Sequence, residues 1–169
     1  MGDLLWVELD GWTAKLRFSA CHLIPHHPKC GRLHGHTYAV SVKVFGERTG
    51  EFIIDFEILK GLIAEICERL DHRVVLAEND TRLQITKDDQ SLIVETGGKM
   101  YQFPIEDVTL IPTDSTSAES LCEYVASELA PGMSPGVSRI EVRIDEGLGQ
   151  GAGFVLDIAR TGAIAEAGT

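Results

Sequence analysis

Three histidines of this chain have a spacing that suits a metal ion. His34 and His36 are two residues apart and would project from the same face of a β-strand, while His22 ends the alternating segment before them. If the two strands pair, the three imidazoles meet on the apolar side of the sheet. Three cationic rings would be costly there, whereas neutral imidazoles can bind one divalent ion, and Zn²⁺ is the usual choice for three histidines with an open fourth position. The alternative is that each ring hydrogen-bonds to backbone; we favour the metal site for the three together.

Cys30 lies four residues before His34, in a proline-containing segment that must fold back toward the histidines. Its thiol could be a fourth ligand that closes the metal site, or it could stay unligated and act as a base or nucleophile. The spacing leaves both possibilities open. His26 and His27 share this loop, and we interpret them as surface residues or as neighbours of a substrate phosphate.

Several other residues are further candidates for the site, and each also has a simpler structural explanation. Asp71 and His72 follow a predicted helix end and could relay protons or only cap the helix. Glu146 lies on the apolar face of a late strand, where it could accept two hydrogen bonds from the edge of a pterin or guanine ring or could turn to solvent. Thr116 and Glu119 have capping-box spacing, which explains both residues without any contact to a substrate.

Two strands and the loop between them must position the histidines. Apolar and polar side chains alternate over residues 13–22, which predicts a half-buried strand, and a second strand is predicted at about 34–46. Asp55 can cap a helix whose apolar stripe runs to Leu70. A second helix is predicted to follow the capping box and to end at Pro131, before strands at about 137–146 and 152–158.

The predicted fold class is α+β, with an antiparallel sheet that carries two helices on one face. We expect a single domain over residues 1–169. Residues 77–113 are predicted to be an insertion that contains a hairpin around the Gly97–Gly98 turn. The tail, residues 160–169, is rich in small residues and is predicted to be flexible.

The charge of the chain restricts its partners. The formal net charge is −11, which argues against a nucleic-acid or membrane-surface partner because those partners select basic proteins. Residues 11–46 nevertheless contain five Lys or Arg and no Asp or Glu, a local excess that suits a small, multiply charged anion. No apolar run approaches the roughly 18 residues of a membrane span. The four cysteines form no C-x-x-C pair and no signal peptide is recognisable, so we expect a reduced, cytoplasmic protein.

Taken in order, these motifs resemble the 6-pyruvoyltetrahydropterin synthase and 6-carboxytetrahydropterin synthase family. The matching segments are Phe18–His22, Cys30–His36, Ile54–Phe56, Leu70–His72, Thr116–Glu119 and the strand that ends at Glu146. The cysteine followed by His-Gly-His is the specific element, and the other segments add weight by their order and spacing.

The resemblance implies a set of roles for these residues. Zn²⁺ would be held by His22, His34 and His36, and Cys30, Asp71 and His72 would form a proton-transfer triad. Glu146 would anchor the pterin ring of 7,8-dihydroneopterin triphosphate, and Thr116 and Glu119 are placed with it as substrate-binding residues. The implied architecture is the tunnelling fold, a four-stranded antiparallel sheet with two helices that assembles as a homo-hexamer, a dimer of trimers with active sites between subunits.

The spacing around Cys30 resembles one branch of that family. Three residues separate it from His34, as in the 6-carboxytetrahydropterin synthases that supply queuosine and archaeosine biosynthesis, whereas the pyruvoyl branch has five. A third branch, which makes a hydroxymethyl pterin, has a glutamate in this loop, and residues 23–33 contain no carboxylate. The expected reaction forms 6-carboxy-5,6,7,8-tetrahydropterin with loss of triphosphate and acetaldehyde. The alternatives are a 6-pyruvoyltetrahydropterin synthase and a non-catalytic pterin- or purine-binding zinc protein; the long link after His72 and Gly147 after Glu146 depart from the family pattern.

Overall fold

The computed structural model describes residues 5–158 and has an α+β architecture. In chain order the elements are β1 (Leu5–Leu9), β2 (Arg17–His22), β3 (His34–Gly46), α1 (Phe56–Leu70), β4 (Arg73–Ala77), β5 (Gln84–Lys87), β6 (Ser91–Thr96), β7 (Lys99–Pro104), β8 (Val108–Ile111), α2 (Ala118–Leu129), β9 (Val137–Glu146) and β10 (Gly151–Asp157). The predicted tail, residues 160–169, lies outside the described residues. Within residues 5–158 the longest helix, α1, has 15 residues, which is too short for a membrane span.

The main sheet has seven strands, so the expectation of four is wrong in number. The four expected strands are present as an antiparallel core in the order β10-β9-β3-β2. Strand β4 adds to β2 and β8 adds to β4, both in parallel. Strand β1 pairs with the Val42–Gly46 half of β3, because β2 is short and occupies only the other half of that long strand. These three additional strands have four or five residues each, too few for a clear alternation in the sequence.

Both helices pack on one face of this sheet, as expected. The face is made by alternate residues of the strands, such as Phe18, Val40 and Ile144, which form a single core with the apolar stripes of α1 and α2. Burying these stripes is the main stabilisation of the fold, at about 25 cal/mol per Å² of apolar surface. The opposite face of the sheet is largely polar.

The N-cap of α1 is the expected residue, whereas the N-cap of α2 is not. Asp55 caps α1, and its carboxylate accepts the backbone N–H of Glu57 at 2.7 Å. Helix α2 is capped by Ser117, whose hydroxyl accepts the N–H of Ser120, so the capping box expected for Thr116 and Glu119 is wrong by one residue. Both of these residues therefore need another explanation.

Residues between β4 and β8 form a separate three-stranded antiparallel sheet, β5-β6-β7. The expected hairpin is formed by β6 and β7, and both turn residues, Gly97 and Gly98, have positive φ angles of 56° and 75°, as a tight hairpin turn requires. The small sheet has its own core around Leu76, Leu92 and Val94. Its turn end lies against the loop that carries Cys30.

Candidate metal centre and active site

The register of β2 and β3 brings the three histidines together. His22 pairs directly with His34, and His36 lies two residues further along the same face. Their ring centroids are 4.6 to 5.2 Å apart, and one nitrogen from each ring lies within 4.8 Å of the other two. The expected convergence is confirmed, and the cluster could hold a metal ion.

Backbone carbonyls fix which ring nitrogen is available. His22 Nδ1 lies 2.9 Å from the carbonyl oxygen of Thr116, and His34 Nδ1 lies 2.7 Å from that of Arg32. A carbonyl oxygen can only accept, so in the neutral form of each ring Nδ1 carries the proton and Nε2 presents the lone pair. Such carbonyl partners are the usual outer contacts of metal-binding histidines.

His22 shows most directly that the cluster fits a cation. The residue is 3% exposed, and its Nε2 atom is buried without a hydrogen-bond partner among the described residues. An unpaired buried polar atom is costly, and a metal ion would satisfy it. Burial is the main cause that lowers the pKa of His22 from 6.5 to about 4. Repulsion from His34 and His36 lowers this pKa further, whereas the hydrogen bond to Thr116 raises it. The ring is therefore neutral at pH 7, as a metal ligand must be.

Glu146 approaches the same cluster from β9. Its position opposite Tyr38 in the β3–β9 pairing places its two carboxylate oxygens 4.0 Å from His22 Nε2 and 3.9 Å from His36 Nε2. These distances are too long for hydrogen bonds. The carboxylate is one-fifth exposed and faces the cluster, so it is available to a ligand beside the metal position.

A cavity of about 270 Å³ opens beside the histidines. Cys30, Glu119 and Glu146 line it together with His22 and His34. Glu119 reaches the cavity because it is the second residue of α2 and not a capping partner. A larger open depression of about 720 Å³ lies on the three-stranded sheet and is lined by none of the expected site residues.

Thr116 acts behind the cavity wall. It is buried; its carbonyl oxygen accepts from His22, and its hydroxyl donates to the carbonyl of Leu23 at 3.1 Å. The start of α2 is thereby tied to the end of β2. Thr116 therefore holds His22 in its rotamer.

Asp71 and His72 are the expected site residues that a single chain does not bring to this cavity. The Asp71 carboxylate accepts the backbone N–H of Ser19 at 2.7 Å and pairs with His72 Nδ1 at 2.8 Å. Burial opposes ionisation of Asp71, but these hydrogen bonds outweigh it and lower its pKa. The His72 backbone N–H donates in turn to the carbonyl of Ser19 at 2.7 Å, so the pair lies at the edge of β2 where β4 adds, and the His72 side chain is 84% exposed.

Two residues near the site were missed in the sequence. Gln150 lines the cavity from the turn after Glu146. The glycines around Gln150 in the sequence indicate this turn. The Tyr38 ring packs edge-on against His22 and His36, and its hydroxyl is buried with no partner in the described part of the chain. Its parity with His34 and His36 could have identified it.

Comparison with known proteins gives a consistent family. Residues 12–157 match the family model described as 6-pyruvoyl tetrahydropterin synthase. The chain is 43% identical over 154 residues to a Methanocaldococcus jannaschii protein provisionally named 6-carboxy-5,6,7,8-tetrahydropterin synthase, covering 88% of this chain and 94% of the relative. A Pyrococcus horikoshii protein with the same provisional name is 31% identical over 136 residues, covering 80% of this chain and 82% of the relative.

Among solved structures, 6-pyruvoyltetrahydropterin synthase from Plasmodium vivax superposes with a TM-score of 0.84 at 25% identity, covering 93% of this chain and 100% of that chain. The similarity includes both helices and the main sheet, since it extends over nearly the whole described chain.

Proposed function

Because the chain belongs to the 6-pyruvoyl tetrahydropterin synthase family, we propose that it is a zinc-dependent lyase that converts 7,8-dihydroneopterin triphosphate to 6-carboxy-5,6,7,8-tetrahydropterin, with loss of triphosphate and acetaldehyde. The observation that carries this proposal is the convergence of His22, His34 and His36. Two of these histidines, His22 and His34, line a cavity together with Cys30 and Glu146. The carboxy product is supported by the names of the similar proteins and by the three-residue spacing between Cys30 and His34.

The three histidines would hold Zn²⁺, and the fourth position would stay open for substrate. Within residues 5–158, the group of close ligand atoms contains the three histidines and neither Cys30 nor Glu146. Bound zinc supplies Lewis-acid polarisation of the hydroxyl groups on the substrate side chain.

The other residues of the cavity have separate roles. We assign Glu146 to the pterin ring, because a carboxylate can accept the two parallel hydrogen bonds of its amino and N–H edge. We assign Cys30 to removal of a carbon-bound proton, since its thiol shares the cavity with the metal position. Glu119 contacts the substrate from α2. Thr116 contributes by holding the His22 ring through its carbonyl group.

Asp71 and His72 would deliver a proton in the site of a neighbouring copy. The 84% exposure of the His72 side chain supports this assignment, and so does the lining of the cavity, which within residues 5–158 includes neither residue. It requires an oligomer, and we propose the homo-hexamer, a dimer of trimers, with active sites between subunits. Light scattering of the purified protein tests the hexamer. A monomeric protein with full turnover would contradict the shared site.

The deciding experiment is product analysis. Purified, metal-replete protein given 7,8-dihydroneopterin triphosphate should release both triphosphate and acetaldehyde, with about one zinc per chain by elemental analysis. Triphosphate without acetaldehyde would indicate the pyruvoyl product. Metal-replete protein that releases neither would refute the lyase proposal.

A second candidate is a non-catalytic pterin- or purine-binding protein with a closed zinc site, because Cys30 lines the same cavity as His22 and His34. The variant Cys30→Ala separates the two. The lyase proposal expects retained zinc and lost turnover, whereas a closed site expects a sharp loss of zinc affinity.

The cellular setting follows from the same residues. The four cysteines are free thiols in the structure, as is typical of a reducing compartment, and we propose a cytoplasmic enzyme that feeds queuosine or archaeosine biosynthesis. The acidic net charge supports a small-molecule partner and argues against nucleic acid or a membrane surface.

A further inference from the structure

A second, smaller cavity lies where the three-stranded sheet meets the loop that carries Cys30. Its volume is about 120 Å³, and it is lined by His26, His27 and Gly31 from the loop and by Thr96, Gly97 and Lys99 from the hairpin. Since one water takes about 30 Å³ of liquid, this space holds about four waters or one phosphate group. The cavity exists because the inserted sheet covers the loop.

Thr96 provides a group that needs a ligand. The residue is 8% exposed, and its hydroxyl is buried without a hydrogen-bond partner in the described chain. Buried hydroxyls are nearly always paired, so an unpaired one at a cavity wall is a site where a bound oxygen would be stabilising.

Lys99 and His27 provide further donors. The Lys99 ammonium donates to the carbonyl of Gly31 at 3.1 Å, which uses one of its three N–H groups. His27 Nδ1 accepts the backbone N–H groups of Cys30 and Lys29 at 2.9 and 3.3 Å. In the neutral ring the proton is therefore on Nε2, which can donate.

The charge around the cavity favours an anion. No carboxylate among residues 5–158 lines it. The buried Asp80 lies near His26, but both of its oxygens are already bound by Arg82 at 2.8 Å. Arg82 also donates to the carbonyl of Pro25, so this pair fixes the loop and leaves the Lys99 charge for a ligand.

The same loop lines both cavities. Ile24 and Cys30 line the cavity beside the three histidines, and Gly31, the next residue after Cys30, lines the smaller cavity. A substrate with a long anionic tail could thus occupy both positions along one loop.

We propose that Thr96, Lys99 and His27 form a subsite for one phosphate group of the triphosphate tail. This inference rests on the proposed function, because it names where the tail of that substrate is held. The shared chemistry is a phosphate monoester or anhydride oxygen, whether from the substrate or from free inorganic triphosphate.

The test begins with calorimetric titration of the metal-loaded protein with sodium triphosphate. Lys99→Gln should weaken triphosphate binding roughly tenfold and Thr96→Val roughly threefold, from the loss of one charged and one neutral hydrogen bond. Lys99→Arg keeps the charge and should stay within about threefold of the wild type. The matched control is Lys87→Gln, which removes an exposed lysine of the same small sheet and should not change binding. Any contribution of the metal to binding is common to all variants.

The outcomes are separable. Equal affinities for the wild type, Lys99→Gln and Lys87→Gln would overturn the subsite, and so would a wild type that does not bind triphosphate. In turnover assays Lys99→Gln should raise KM for the pterin triphosphate roughly tenfold with kcat little changed. An unchanged KM would overturn the assignment to the substrate tail. A wild type with Lys99-dependent triphosphate binding but no turnover would support the anion site and refute the proposed function.

Discussion

Acidification should destabilise the metal-free protein through His22. In the folded chain, burial lowers the pKa of this ring to about 4, whereas the ordinary value of 6.5 applies when the chain unfolds. Between these two pH values the unfolded state binds a proton at His22 that the folded state does not bind. The free energy of unfolding therefore falls as the pH falls from 6.5 to 4, at about 1.4 kcal/mol per pH unit. The total loss from this one residue is on the order of 3 kcal/mol.

The measurement is urea denaturation of chelator-treated protein at several pH values. Carboxylates such as Asp71 also titrate at the acid end, and they contribute equally to the wild type and to a variant at position 22. The difference between wild type and His22→Gln therefore isolates the histidine. It should change by about 3 kcal/mol across the window, and the variant should have the shallower pH dependence.

The control is Met100→Ala, which changes an exposed side chain that carries no ionisable group and should leave the pH dependence parallel to that of the wild type. If His22→Gln and wild type gave parallel curves between pH 6.5 and 4, the burial argument for a neutral ligand would be wrong.

The remaining perturbations test the metal site, the Asp80–Arg82 ion pair and two glycines. Zn²⁺ at about 100 times its dissociation constant should raise the free energy of unfolding by about 2.7 kcal/mol, and His34→Ala should abolish this effect in the same denaturation assay. Arg82→Met leaves the buried carboxylate of Asp80 without its ion-pair partner. This change should lower the free energy of unfolding by about 2 to 4 kcal/mol, measured by chemical denaturation. Gly11→Ala places a methyl group 2.5 Å from the backbone nitrogen of Val40 and should cost at least about 2 kcal/mol, whereas Gly61→Ala, in open space on α1, should stabilise by up to about 1 kcal/mol in thermal unfolding.

Strand parity made the metal cluster predictable. His22, His34 and His36 could be placed on one apolar face from alternation alone, and the register of β2 and β3 confirms that placement. The same reasoning located β9, whose last residue is Glu146. The antiparallel core and the two helices were accessible because their patterns are long, from six to fifteen residues.

Short or crossing elements were not predictable in this way. Strands β4 and β8 extend the antiparallel core by parallel pairing, and their partner strands lie far away in the sequence. Strand β1 forms because half of β3, about 40 residues later, has no other partner on that side among the described strands. The α2 cap shifted from Thr116 to Ser117, because the carbonyl and hydroxyl of Thr116 are used to hold β2. A local capping pattern contains no information about such long-range contacts.

The sequence by itself determined which residues can ligate a metal, since imidazole chemistry and a period of two are local properties. Tertiary structure decided the rest. Burial beside the start of α2 makes the His22 ring neutral, and the strand pairing brings Glu146 to within 4.0 Å of it. Bonds to the backbone of Ser19 hold Asp71 and His72 at the edge of β2. Burial and distance are properties of the whole fold, because they depend on contacts between residues that are remote in the chain.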